Sequence, residues 1–325
     1  MEGVNMKVST FIQSIRDEKN GFSLDQPWRL DESSLFAIVP ILRVTKAKRS
    51  YITFAEALAV QVEDTGQIDY VHVKNNEDKP VFISRGDIFR GKTQERAATH
   101  GHIVMPGKSM RVAVRCIHAS RGISGKAEMK YAGNTPYDIT TNLGRSQRHT
   151  WDSISNYTMC AGFGTTRSIH SGATCFAGTP TMDSVFDSRL GADDLKGTLD
   201  NLSDAMKTAM KKIPHIDNQV GSIFFGDSIV KGISVYDVPV SWDAVKKEMV
   251  EKEGASFLKK DDANLFEFKP EKAKELVAKR LSDDFDEKVL YSGEYQVIEL
   301  RGNDLGGEAT IFKDKVIHLT LWALS

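Results

Sequence analysis

The sequence is short of cysteine, proline and tryptophan, with 3, 9 and 4 of them in 325 residues. Cys116, Cys160 and Cys175 form an odd, sparse set, which suits a reducing cytosol better than a disulfide framework. No run of about eighteen apolar residues occurs, so no membrane-spanning helix is predicted. Neither charge sign dominates: 43 Lys and Arg against 44 Asp and Glu leave a formal charge of -1. That balance supplies no global field toward DNA, RNA or an anionic membrane, and none of these is expected as a partner. The opening stretch carries acids and no extended apolar run, so it reads as neither secretory signal nor anchor, and the expected location is cytoplasmic. Also missing are a strand–GxGxxG–helix unit, HExxH, CxxC and a GxSxG elbow, and neither a dinucleotide-binding nor a P-loop fold is expected. No cofactor is therefore expected, and no motif names a catalytic class.

What is present is a β-rich pattern with inserted helices. Val8, Phe11, Ile12 and Ile15 share one helical face after Ser9, and Asn20-Gly21 ends that helix. Leu35 to Leu42 reads as a strand that Pro40 marks as an edge or an end. Thr53 caps a helix over Phe54–Ala59, with Glu56 completing a capping box. Strands are predicted over 67–73, 80–84, 103–105 and 110–117, the last with Val112, Val114 and Cys116 on one face. Ser120 to Arg189 is rich in glycine, serine and threonine and reads as long loops, relieved by a helical face of Trp151, Ile154 and Tyr157 capped by Thr150. A helix follows at 195–213, then strands from Gln219 and from Ile229 to Val235.

One helix opened by Ser241 runs to about Glu253, and another runs from Pro270 to Leu281. The dense mixed charge across these two reads as solvated helix faces. Strands at 295–300, 309–312 and 315–320 close the pattern, with a tight hairpin at Asp314. The fold class is α+β: a predominantly antiparallel sheet or sandwich-like core with inserted and flanking helices. The expected organisation is an N-terminal helical extension over 1–33, a β-rich part with long central loops over 34–190, and an α+β part over 191–325. The last two pack as one large unit.

The segment Tyr51–Gly122 holds the strongest concentration of chemistry. Gly86 and Gly91 bracket a polar turn in which Arg85, Arg90, Lys92 and Arg96 stand beside Asp87, Gln94 and Glu95. Cationic forks next to tight glycine turns can cradle a phosphate, a carboxylate or a ribose phosphate. The competing reading is a structural network in which Asp87 pairs with Arg96. Candidate ligand-binding residues are Asp87, Gln94, Arg96, Arg90 and Trp151, whose indole can stack on a base or anchor its helix. Asp87, His100 and His118 are candidates for acid–base work. His100, His102, Cys116 and His118 form a metal set only if their strands are neighbours.

Several blocks resemble one family. They are Thr53-Phe54-Ala55-Glu56-Ala57-Leu58, Val71-His72-Val73-Lys74-Asn75, Gly86-Asp87, Gly91-Lys92-Thr93-Gln94-Glu95-Arg96 and Val114-Arg115-Cys116. Trp151-Asp152-Ser153-Ile154, Gln219-Val220-Gly221-Ser222-Ile223, Gly232 with Val235-Tyr236, and Val316-Ile317-His318-Leu319 continue the series. In this order the chain resembles the ARG and rhodanese-phosphatase-superfamily-associated domain from about residue 35 to 321. Asp87 departs from that pattern, which tends to Glu, and His118 stands near a usual acidic position. The resemblance implies an association with ADP-ribosylglycohydrolase-like and phosphatase-like proteins and assigns no activity. The expectation is a soluble ligand-binding or partner-interaction protein linked to nucleotide or ADP-ribose metabolism, taking a small anionic or nucleotide-derived ligand or a protein partner. The alternative is a hydrolase of phosphorylated or ADP-ribosylated substrates using Asp87, His100 or His118, and Arg96.

Overall fold

The computed structural model describes residues 7–29, 36–67, 69–91, 95–117, 127–163, 213–226, 229–255 and 270–324. The chain begins with α1 (Val8–Arg16), then β1 (Phe22–Leu24), β2 (Trp28–Arg29), β3 (Phe36–Arg43) and β4 (Ile52–Thr53). Next come β5 (Val60–Asp64), β6 (Tyr70–Asn75), β7 (Val81–Ile83), β8 (Asp87–Arg90), β9 (Glu95–Ala98), β10 (His102–Val104), β11 (Ser109–Cys116) and β12 (Ala127–Asn134). Two helices follow, α2 (Tyr137–Thr140) and α3 (Gln147–Phe163), then β13 (Gln219–Gly226) and β14 (Ile229–Tyr236). The remainder is α4 (Pro239–Asp243), α5 (Lys246–Ala255), α6 (Pro270–Arg280), β15 (Asp286–Ser292), β16 (Tyr295–Arg301), β17 (Leu305–Phe312) and β18 (Lys315–Ala323).

These strands make three units, antiparallel but for the β4–β7 pair. A nine-stranded sheet runs β1-β3-β13-β14-β18-β17-β16-β15, with β2 also on β3. A closed six-stranded barrel runs β11-β6-β5-β12-β8-β9, and β10-β7-β4 form a small sheet. One face of the large sheet is sealed by α1 and α6, through Val8, Phe11, Ile12 and Ile15, and through Ala273, Val277 and Leu281. The small sheet divides the rest. Val81, Ile83 and Val104 join the barrel's apolar interior, whereas Phe82 and Ile103 on its other side join the core against the large sheet.

Local chemistry explains most of these elements. In β11, Val112, Val114 and Cys116 are buried and the intervening residues are not, as its alternation predicts. Lys313 and Asp314 both take positive φ, 49° and 60°, the backbone of a two-residue hairpin turn between β17 and β18. Pro40 lies neither at an edge nor at an end. It falls in β3 opposite the gap between β1 and β2, where no ladder N–H is required, and its carbonyl accepts Asp25 N–H at 3.0 Å.

The helix expected over Phe54–Ala59 is a single turn. The capping-box bonds are made, since Thr53 N–H and Oγ1 donate to Glu56 Oε2 at 3.0 and 2.7 Å. Leu58 is 96% exposed, however, so no apolar face sustains a helix before β5 begins at Val60. The stretch after Ser120 read as loops contains β12, which closes the barrel between β5 and β8, and a helix longer than the sequence suggested. Thr150 lies inside that helix and not at its cap. Ser241 is buried within α4, which Pro239 opens. β15 was not foreseen, because a strand exposed at nearly every position has no alternation to read. The helix expected at 195–213 lies outside the described residues apart from Ile213.

Glycine is required where α2 meets the large sheet. A Cβ on Gly232 would fall inside the Tyr137 ring, against backbone held on both sides by β13 and β18. Gly232→Ala is expected to cost about 1–3 kcal/mol through overpacking. Urea unfolding measures it, and a change below about 0.5 kcal/mol would show that Tyr137 moves freely.

Candidate functional site

The polar turn is built around Gly86, at φ +87°, where a Cβ would sit 2.8 Å from Thr135 Oγ1. Asp87 closes the turn. Its N–H donates to Ser84 O at 3.1 Å, its Oδ2 accepts Ser84 N–H at 2.8 Å, and its Oδ1 accepts from Asn134 Nδ2. Burial pushes Asp87 up to about 8, against the lowering effect of these bonds and of Lys252. The described residues of the turn do not converge on one cluster. The turn's two ends feed two separate polar clusters, one through Arg85 and the other through Asp87.

Arg85 reaches the large sheet. Its guanidinium donates to Thr140 O at 3.3 and 3.0 Å, lies 4.4 Å over the Trp322 ring, and stands 3.8 Å from Glu308 Oε2. Glu308, on β17, also accepts Gly101 N–H on Oε1 at 2.6 Å and bonds His100 Nδ1 through Oε2 at 3.1 Å. The side chains of Arg85 and Glu308 are each 2% exposed, whereas His100 keeps 31%. Burial drives the Glu308 carboxyl upward, but His100, Arg85 and the Gly101 amide together bring it below the usual range, so it is ionised.

The sheet positions this carboxylate by register. Ser222, Ser234, Thr320 and Glu308 are successive cross-strand partners on β13, β14, β18 and β17, a buried polar row on the sheet. Beside it, Tyr295 Oη lies 3.4 Å from His102 Nδ1, and burial holds His102 down at about 4. His102 Nε2 and Thr310 Oγ1 have no hydrogen-bond partner among the described residues.

The Asp87 side leads to Asn134, whose Oδ1 accepts from Tyr131 Oη at 3.2 Å, and to Lys252 on α5. Burial holds Lys252 at about 8, with Arg90 lowering it further and Glu248, Glu95 and Asp87 opposing.

The remaining sequence candidates are spread over other networks. Arg96 does not pair with Asp87; it bonds Asp64 inside the barrel at 3.1 and 3.3 Å. Arg90 pairs with Glu95. Trp151 is 36% exposed, and the burial it was expected to supply on α3 comes from Ile154 and Tyr157. Gln94 and His118 lie outside the described residues. β10, carrying His102, pairs with β7, while Cys116 on β11 pairs with Arg96 on β9, so the histidine and cysteine strands share no ladder. Among the described residues no three His, Cys, Asp or Glu side chains are grouped to hold a metal. Glu308, Lys252 and Asn134 were not foreseen. Their only signal is a polar residue at an inward position, which shows once the packing partner of each element is known.

A barrel and a large antiparallel sheet bridged by a buried ion-pair seam thus define the class of this chain. It matches the ARG and Rhodanese-Phosphatase-superfamily-associated Protein domain over residues 22–322, and it belongs to that family. No curated protein and no solved structure is significantly similar to it. No helix among the described residues is long and apolar enough to cross a membrane.

Proposed function

We propose that the protein binds a small ribose- or phosphate-bearing ligand at the seam where His100 stands over Glu308. One observation carries this reading: a part-exposed imidazole is oriented by a buried, ionised carboxylate. With Nδ1–H donating to Glu308, Nε2 of the neutral ring presents a lone pair to a ligand hydroxyl, and the protonated ring presents a donor to a phosphate. The association that gives the family its name fits such a ligand.

The same dyad supports hydrolysis as the second reading, because a carboxylate that fixes a histidine tautomer is the orienting half of acid–base catalysis. Of the described residues expected to act, Asp87 and Arg96 are held by Ser84, Asn134 and Asp64, which leaves His100 with Glu308. Calorimetric titration with ADP-ribose, AMP and ribose 5-phosphate, run beside a turnover assay on the same compounds, tests both. Expected is saturable binding that weakens at least tenfold in His100→Ala. Binding without turnover selects the first reading, and turnover abolished in the variant selects the second. Equal behaviour of the two proteins removes both.

A further inference from the structure

Lys252 belongs to a different place in the molecule. It is only 8% exposed, yet its ammonium, which has three donors, makes one hydrogen bond, to Ala132 O at 3.3 Å. Among the described residues no carboxylate pairs with it. The ordinary fates of a lysine are to extend its head into water or to meet a counter-charge. Among the described residues Lys252 does neither within hydrogen-bond distance, and an amine buried this way lowers stability, a cost that is met at sites where the amine is used.

The fold makes room for it. Gly133 takes φ +89°, and a Cβ there would stand 2.6 Å from Lys252 Nζ, so the barrel wall is thinned where the amine lies. Tyr157 Oη donates to Lys252 O at 2.7 Å and pins α5 at this residue. The charged groups whose fields reach the amine are Asp87 and Arg90 on β8, Glu95 on β9, and Glu248 on α5.

That ring of charge restricts what the amine can take. An anion would be repelled by the carboxylates of Glu95 and Glu248, whereas a small uncharged carbonyl compound would not. We propose that Lys252 is a covalent binding site for a small aldehyde or ketone, its Nζ condensing with the carbonyl carbon to form an imine. The nitrogen lone pair attacks carbon, and one amine proton passes to the carbonyl oxygen to give a carbinolamine. That hydroxyl then leaves as water, taking a second proton as the nitrogen gives up its remaining one, and C=N replaces C–N. Amine plus carbonyl become imine plus water, with no change of oxidation state. Because burial holds the amine at about 8, its uncharged form is already populated near neutral pH.

The full-length protein treated with glycolaldehyde and cyanoborohydride at pH 7, then analysed by peptide mass mapping, provides the test. Reduction should trap an adduct on Lys252 at least tenfold ahead of Lys19 and Lys288, which are 71% and 73% exposed. Lys252→Arg should lose that adduct and keep the others. The trapping rate at Lys252 should level off above about pH 8, while that of the surface lysines keeps rising. Lys252→Met, checked for native circular dichroism, separates loss of the amine from loss of fold. Labelling that simply follows exposure, or that reaches Lys252 only after denaturation, overturns the proposal.

Discussion

Replacing Asp64 with alanine is expected to destabilise the protein by about 3–5 kcal/mol, the usual effect of stripping the partner from a buried ion pair. Asp64 on β5 and Arg96 on β9 each have side chains 1% exposed, and they meet across the barrel from strands that are not ladder neighbours. The guanidinium of Arg96 would remain enclosed by the barrel without the carboxylate it bonds at 3.1 and 3.3 Å. The double change Asp64→Leu with Arg96→Met should recover most of the loss, because it removes both charges together. Urea unfolding of the two variants gives the comparison. A single-variant cost under about 1 kcal/mol would mean that another group carries the Arg96 charge, and the barrel would owe little to this pair.

The second large effect is the loss of stability in acid that comes from His318. Burial holds His318 at about 4 against an ordinary 6.5, with its Nε2 3.2 Å from Ser234 Oγ. A depressed folded value means that the unfolded chain binds the proton more readily. The stability contributed by the neutral ring is therefore whole above about pH 6.5 and is lost as pH falls toward 4. At about 1.4 kcal/mol per pH unit the loss from His318 is about 3 kcal/mol, and His102 acts in the same direction. Glu308 adds a later step below the ordinary carboxylate range, since its folded value is lowered too. Asp87 has the opposite sign: its folded value is raised to about 8, so its contribution is present in acid and fades as pH rises from about 4 toward 8. Burial also raises the folded values of Asp237 and Glu253, which act with Asp87, so the His318 effect is read as a difference: from pH 7 to pH 4 the parent's unfolding midpoint should fall relative to that of His318→Gln. Parallel pH profiles for the two proteins would refute the assignment of a neutral, buried His318.

Much of the fold was legible because its signals are local. The alternation of β11, the proline that opens α6 and the hairpin at Asp314 depend on neighbours within a few residues. The candidate site was legible only in part. The turn at Gly86–Asp87 was read correctly as tight and polar, but its side chains serve two clusters instead of one. Period two separates the faces of a strand without saying which is covered, so Ser222, Ser234, Thr320 and Glu308 carry no mark of burial in the sequence. Lys252 sits in a run of mixed charge that reads as solvated, and only the approach of Gly133 reveals it as enclosed. Arg96 finds Asp64 rather than Asp87 because barrel closure brings β5 and β9 to face one another, a relation no local spacing encodes.

The order of strands in the two large units has a consequence for how the chain assembles. All six barrel strands lie between Val60 and Asn134, so the barrel can close as soon as that stretch is available. The large sheet is different. β3 waits for β13, nearly two hundred positions later, and β18 fills the place between β14 and β17 after both have been made. During synthesis the barrel therefore matures early, while the half-built sheet holds open a strand-wide gap that only β18 fits. That interval is when the chain is most vulnerable to mispairing with a second nascent copy.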